Sequence, residues 1–170
     1  LEGLYIIEDF ITENEEQELI RAIDSRSWCG NDAHNITVMN LAIDTAQNLG
    51  PLPTFTDFII NRFKQQKIID FDDEPNMCII NEYEAGQGIM PHTDAATIFG
   101  PIILSLSLLS SSPRSLLIMT KSSRYDYKHS ISKDIIEWYD DDKNDNKLEI
   151  VRSRRVSLTF RTVHHSGLND

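Results

Sequence analysis

The sequence predicts an α+β fold that is mainly β, with helices first and strands after them. Three observations predict it. Before residue 75, apolar residues recur at helical spacing in two segments. From Asn76 onward they come in short runs broken by Gly, Pro, Ser and Asp, the punctuation of strands. From Arg155 to Arg161, polar residues alternate strictly with Val156, Leu158 and Phe160, the period of two that a strand imposes. Two helices laid on a strand-rich half fit a double-stranded β-helix, a jelly roll backed by N-terminal helices. A chain of 170 residues is long enough for one such domain with a real core.

The elements follow in order. Ile6 to Phe10 reads as a short strand. Thr12 is the expected N-cap of the first helix, with Glu15 completing a capping box. Leu19, Ile20 and Ile23 carry the helix to about Ser25. Trp28 to Gly50 is polar and aperiodic; by itself it reads as a surface loop anchored by Trp28. Pro51-Leu52-Pro53 marks a boundary, and Thr54 to Gln66 is the second helix. Its stripe of Phe55, Phe58, Ile59 and Phe63 is expected to pack on a sheet rather than to stack on bases. Cys78, inside Met77-Cys78-Ile79-Ile80, is expected to be a small core residue.

Bulk properties limit the partners. The two cysteines, Cys29 and Cys78, form no Cys-x-x-Cys pair. They offer neither the common zinc spacings nor a disulfide framework, which points to cytosol or nucleus. Apolar runs such as Ile102-Ile103-Leu104 and Leu116-Leu117-Ile118-Met119 are too short to span a bilayer, so no membrane is expected. No signal-peptide pattern is present, and the chain begins at Leu1 rather than Met, as a fragment or processed chain does. With 27 acidic and 16 basic residues, the net charge of −11 opposes binding of phosphate backbones unless a local basic patch acts. Two candidate patches are Lys121, Arg124 and Lys128, and Arg152, Arg154 and Arg155. Asp140-Asp141-Asp142 is expected to be a solvated loop.

The chemistry-bearing residues are His92-Thr93-Asp94, a distant His129, and Arg155 and Arg161 on the late strand. His92 and Asp94, two apart, can converge on one ion if the segment is extended. Two neutral imidazoles and a carboxylate hold one face of Fe(II) and leave the other open, the facial triad of non-haem iron oxygenases. Alone, the His-x-Asp pair is also what a surface turn looks like, and a lone His129 is more often structural. Two arginines on the polar side of an apolar strand would be costly if buried unpaired. A dicarboxylate co-substrate such as 2-oxoglutarate would pair them, because a planar guanidinium grips a carboxylate with two prongs. His34 is a further candidate to meet substrate, and His164 and His165 read as a solvated tail.

In this order the motifs resemble those of the AlkB-like Fe(II)/2-oxoglutarate-dependent dioxygenases. The likeness runs through Asn81 to Asp94, Ser105 to Leu108, Pro113 to Met119, Ser123-Arg124-Tyr125, His129 and Arg155 to Arg161, and the opening Gly3 to Ile11 is similar as well. It is nearest to the eukaryotic homologues of the transfer-RNA wobble-uridine hydroxylase type. The resemblance implies that residues 1–170 form one dioxygenase domain, with 1–75 a helical and lid region and 76–170 the jelly-roll core. It makes His92, Asp94 and His129 the metal ligands and catalytic centre. Tyr83 and Arg155 would hold the far carboxylate of 2-oxoglutarate, Asn81 and Arg161 its iron-chelating end, and Ser157 lies between the arginines. Residues 28–50 would be a lid over the substrate.

Two departures stand out. Ser130 follows His129 where the family mostly has Gly, and only Leu109 to Pro113 separates Leu108 from Arg114 where relatives have a further hairpin. Either the hairpin is lost or a segment is omitted.

The expected activity is an Fe(II)-, 2-oxoglutarate- and O₂-dependent hydroxylation or oxidative demethylation of a modified base in nucleic acid, transfer RNA being favoured. The base would be single-stranded or flipped out. No RNP-like aromatic stretch of an RRM is present. Two other classes compete. One is the same chemistry on a protein side chain, for example of a basic histone that the acidic charge would attract. The other is a jelly-roll binding module with a decayed metal site.

Overall fold

The computed structural model describes residues 1–27, 29–31, 34–39, 41–42, 47–48, 50–141 and 146–163, with 29–48 and 139–146 described as backbone alone. Its elements are β1 (Leu4–Ile7), α1 (Glu13–Asp24), β2 (Cys29–Asn31), β3 (His34–Met39), β4 (Leu41–Ala42) and β5 (Gln47–Asn48). A 3₁₀ turn over Thr54–Thr56 leads into α2 (Asp57–Gln65). Then come β6 (Met77–Tyr83), β7 (Ile89–His92), β8 (Phe99–Leu108), β9 (Leu116–Met119) and α3 (Lys121–Tyr125). β10 (His129–Ile131), β11 (Ile136–Asp141), β12 (Asn146–Val151) and β13 (Arg155–Val163) complete the chain.

Seven strands form one sheet in the order β1-β9-β8-β13-β6-β3-β2. The pairs β10-β7, β11-β12 and β4-β5 form two-stranded sheets. The expected mainly β jelly roll backed by helices is the fold observed. The large sheet crosses the division expected at residue 75, since β1 pairs with β9 and β3 with β6. Residues 28–50, read from sequence as an aperiodic loop or lid, contribute β2, β3, β4 and β5. Ladder pairing imposes that order, β3 on β6, β2 on β3 and β4 on β5, so no apolar alternation was needed to announce it. Trp28, Asp142, His164 and His165 lie outside the described residues, as does the side chain of His34.

The period of two in β13 decides which chemistry meets which side. Val156, Leu158 and Phe160 face a core built with Cys78 and Ile80 of β6, Leu104, Leu106 and Leu108 of β8, and the apolar faces of α1 and α2. Phe63 of α2 is fully buried there, its ring 5.5 Å from both Phe10 and Phe160. The stripe of α2 is therefore core, as expected. Each large apolar side chain buried this way contributes about 1.5–3 kcal/mol.

α1 begins at the expected capping box: the Glu15 amide donates to Thr12 Oγ1 at 3.3 Å, and the Thr12 amide to Glu15 Oε2 at 2.7 Å. Arg62 of α2 donates to both Glu15 oxygens, at 2.6 and 3.0 Å, and so clamps the two helices together.

The opposite face of the sheet is left for other work. At one end it is apolar, where Met77, Phe99, Ile103, Met119 and Val163 form a second cluster. At the other it carries Asn81, Tyr83, Ser105, Ser107, Arg155, Ser157 and Thr159, set side by side by the registers of β6, β13 and β8.

The short link between β8 and β9 is a closed turn. The Arg114 amide donates to Ser107 O at 2.7 Å and the Ser107 amide to Ser115 O at 2.9 Å. Buried Glu16 of α1 accepts from the Leu109 amide at 2.9 Å and from Arg114 at 3.3 Å. Among the described residues, no helix is long and apolar enough to cross a membrane.

Candidate metal and co-substrate site

β7 and β10 pair antiparallel with His92 directly opposite His129. That register brings the imidazole centroids to 4.3 Å. Gly88 permits the approach: a Cβ there would meet Ile131 O at 2.3 Å and Ser132 O at 2.8 Å. His92 Nδ1 lies 2.8 Å from Met90 O. A carbonyl only accepts, so this bond places the proton on Nδ1 and leaves the Nε2 lone pair for a metal. Burial pushes the His129 imidazole below its usual range, and neighbouring His92 pushes the same way, against the pull of Asp94. Both influences favour the neutral, metal-binding form.

Asp94 lies just past β7 and is buried. Its Oδ1 accepts from Arg161 Nη2 at 2.7 Å, while Oδ2 is buried with no partner. Arg161 thus fixes the carboxylate and leaves one oxygen free. Ligand atoms of His92, Asp94 and His129 all lie within 4.8 Å of one another. The structure therefore gathers residues that the sequence separates by up to 37 positions, 129 − 92.

The co-substrate candidates share the inward face. Arg155 stands opposite Tyr83 and Ser157 opposite Asn81. The Arg155 guanidinium lies 5.8 Å from the Tyr83 ring centroid. Burial raises the Tyr83 hydroxyl pKa, which the charge of Arg155 tempers, and burial lowers that of the Arg155 guanidinium. Arg155 Nη2 donates to Ser107 Oγ at 2.9 Å, a contact the sequence reading left out. Its signal was the alternation Ser105-Leu106-Ser107-Leu108, which puts the serines on the same face as the arginines.

Arg155 Nη1 and Arg161 Nε and Nη1 are buried without hydrogen-bond partners, like Asp94 Oδ2. Leaving such a group unmet costs about 1–3 kcal/mol, more when it is charged, so each one needs an explanation. A metal on Asp94 and carboxylates on the arginines would supply the missing partners. The residues present therefore fit both Fe(II) and a dicarboxylate co-substrate.

The expected basic patches do not form as exposed surface. Arg124 is buried, and Lys121 pairs with Glu2 at 2.9 Å, leaving Lys128 as the exposed member without a described ion pair. Arg152 is buried against Glu137, at 3.2 Å. Arg154 bridges Asp24 and Glu82, and Arg155 belongs to the interior face. A charge that is clustered in sequence is dispersed by strand alternation and by pairing.

A family model described as the 2OG-Fe(II) oxygenase superfamily matches residues 25–113. The uncharacterized protein L905 of Acanthamoeba polyphaga mimivirus is 30% identical over 188 residues, covering 96% of this chain and 86% of that protein. The tRNA (carboxymethyluridine(34)-5-O)-methyltransferase alkbh8 of Xenopus tropicalis is 32% identical over 203 residues. The match covers 96% of this chain, which spans 32% of that larger protein. Among solved structures, a Pseudomonas putida prolyl-4-hydroxylase superposes with a TM-score of 0.58 at 10% identity, covering 95% of this chain and 93% of that one, a likeness of fold alone. The chain therefore belongs to the 2OG-Fe(II) oxygenase superfamily, in its AlkB-like part, and is a dioxygenase dependent on Fe(II), 2-oxoglutarate and O₂.

Proposed function

We propose that this chain hydroxylates or oxidatively demethylates a modified base in nucleic acid, with transfer RNA as the substrate. In this reading residues 1–170 act as one dioxygenase domain of the cytosol or nucleus. One observation carries the site assignment: the buried unpartnered atoms, Asp94 Oδ2, Arg155 Nη1 and Arg161 Nε and Nη1, accompany the cluster of His92, Asp94 and His129. The substrate assignment is supported by the likeness to the Xenopus protein, whose name places it on transfer RNA.

When bound, Fe(II) with 2-oxoglutarate and O₂ supplies oxidation of a C–H bond coupled to conversion of the co-substrate into succinate and CO₂. The chain's own residues do the rest. His92, Asp94 and His129 hold the metal, each in the deprotonated or neutral form that ligation needs. Arg161 orients Asp94 and offers Nε and Nη1 to the chelating end of the co-substrate, on the face it shares with Asn81. Arg155, with Tyr83 beside it and Ser157 between the two arginines, takes the far carboxylate. The cluster of Met77, Phe99, Ile103 and Met119 keeps water from that side. A hydroxyl placed on an N-methyl group collapses to formaldehyde and the free amine; placed on carbon, it stays.

The test has two stages. Anaerobic addition of Fe(II) and then 2-oxoglutarate is expected to give the weak visible charge-transfer band of the chelate, absent in His92→Ala. A correctly folded chain with no band loses the site assignment. Nucleosides from treated transfer RNA are then compared by mass spectrometry with those of an Asp94→Ala control. A gain of one oxygen or loss of a methyl supports the substrate, and an unchanged profile removes it. The net charge of −11 favours a second reading, the same chemistry on a basic protein such as a histone. Histone peptides run in the same assay decide it by the same mass changes.

A further inference from the structure

Arg124 is 3% exposed, yet among the described residues no carboxylate lies within ion-pair distance of it. Its guanidinium instead donates to three carbonyls: Asp94 O at 2.8 Å through Nη1, and Ala95 O and Gly100 O, each at 3.4 Å. Tyr125 adds its ring, 5.0 Å from the guanidinium carbon. Burying a cation against carbonyl dipoles alone is expensive, and a core satisfied by packing alone would place an apolar side chain there.

What the cation joins explains its presence. Two of the carbonyls belong to the loop that begins with Asp94. Arg124 itself sits on α3, the short helix that leads into His129. That helix is tied down from its other side. The Thr120 amide donates to Gly3 O at 2.8 Å, Ser123 Oγ to Gly3 O at 2.8 Å, and the Ser123 amide to Glu2 O at 3.1 Å. Gly3 is held at φ +82°, and a Cβ there would meet Thr120 O at 2.2 Å. α3 is therefore a fixed post, and Arg124 is the arm that holds the Asp94 loop to it.

We infer that Arg124 is a positioning residue for the metal centre: its three-carbonyl grip sets the Asp94 loop at the distance from α3 and β10 at which Asp94, His92 and His129 close on one ion. This rests on the assignment of His92, Asp94 and His129 as ligands. A guanidinium is required because its planar fork reaches several acceptors at once; an ammonium offers a point charge on a different stem.

The experiment is anaerobic titration of the full chain with Co(II), read by its visible ligand-field absorption, for wild type and for Arg124→Lys, Arg124→Met and Arg124→Ala, with melting temperatures alongside. Outer-shell partners of metal sites are worth about 10–100-fold in affinity. Arg124→Lys and Arg124→Met are expected to bind Co(II) at least about tenfold more weakly, with an altered absorption envelope. Millimolar guanidinium should restore affinity and envelope to Arg124→Ala, and leave Arg124→Met, whose side chain fills the space, unrestored. Folded Arg124→Lys with wild-type affinity and envelope overturns the proposal, even if Arg124→Ala does not fold. A folded wild type that takes up no Co(II) sinks the ligand assignment itself, an outcome distinct from the failure of Arg124.

Discussion

At the scale of single residues, Arg161 is under two demands at once. It spends Nη2 on Asp94 Oδ1 and keeps Nε and Nη1 buried and unmet. In Arg161→Ala, Asp94 loses its partner inside the protein, and breaking one side of a buried pair costs about 3–5 kcal/mol. Arg161→Lys retains the charge and gives up the fork, so it separates the two roles. The expected result for Arg161→Lys is a modest fall in melting temperature with a rise of at least about tenfold in the 2-oxoglutarate concentration needed for half-maximal succinate formation, one hydrogen bond to a charged group being worth about 1.5–3 kcal/mol. Isothermal titration with 2-oxoglutarate on the Fe(II)-loaded protein under anaerobic conditions checks it, and wild-type affinity would retire the co-substrate role.

The candidate site was largely legible in the sequence because each group carries chemistry that an ordinary core avoids: a His-x-Asp pair, and arginines alternating with Val156, Leu158 and Phe160. The role of Arg124 was not legible. The residue reads as part of a basic surface cluster, since hydrogen bonds across 24 and 30 positions leave no local spacing to find, whereas the partnership of Ser107 with Arg155 is foreshadowed only by the serine alternation of β8.

At the scale of elements, the sequence signals that succeeded are those set by local bonding, and the failures are those set by partners far away. The Thr12 and Glu15 capping box was read correctly because its two bonds close within one turn. β2 and β3 carry no strand pattern of their own: β3 is a strand because it pairs with β6, and β2 because it pairs with β3. α3, with five residues, is too short to show a helical period.

The clamp between α1 and α2 has a definite pH signature. Arg62 holds the Glu15 carboxyl down to about 2, well below the usual carboxylate value of 4.5. A depressed folded-state pKa stabilises the native protein above the unfolded-state value and loses that contribution as pH falls toward 2. Wild type is therefore expected to be more stable than Glu15→Gln at pH 7, with the gap closing between about pH 4.5 and pH 2. Urea melts across that window check it; a gap independent of pH would mean that the Arg62 bond contributes through shape alone. The β7–β10 pair makes a second prediction. Gly88→Ala forces a methyl against the Ile131 and Ser132 carbonyls, so the strands must part. Weaker Co(II) binding than wild type at nearly equal helix content by circular dichroism is the expected outcome.

At the scale of the whole molecule, charge decides how a nucleic acid could be held. The net charge is −11, and the arginines that might have formed a phosphate track are buried, paired or turned toward the site. Among the described residues around His129 in the chain, Lys121, Lys128 and Lys133 are exposed cations, and Lys121 already pairs with Glu2. Three phosphate contacts on a single strand give a slope of log affinity against log salt of about −2. Raising salt from about 50 mM to about 200 mM should then weaken binding roughly twentyfold, far less than the 10³–10⁵-fold of proteins with many phosphate contacts. Fluorescence anisotropy with a labelled transfer-RNA anticodon stem-loop, on the Fe(II)- and 2-oxoglutarate-loaded chain without O₂, measures that slope. A value near −2 that steps toward −1 in Lys128→Gln/Lys133→Gln places the backbone over β10. A slope several units steeper would mean that the phosphates lie on another surface. On the proposed transfer-RNA substrate, so few phosphate contacts would leave recognition mainly to the base, and substrate choice would then lie at the metal site rather than on the chain's surface.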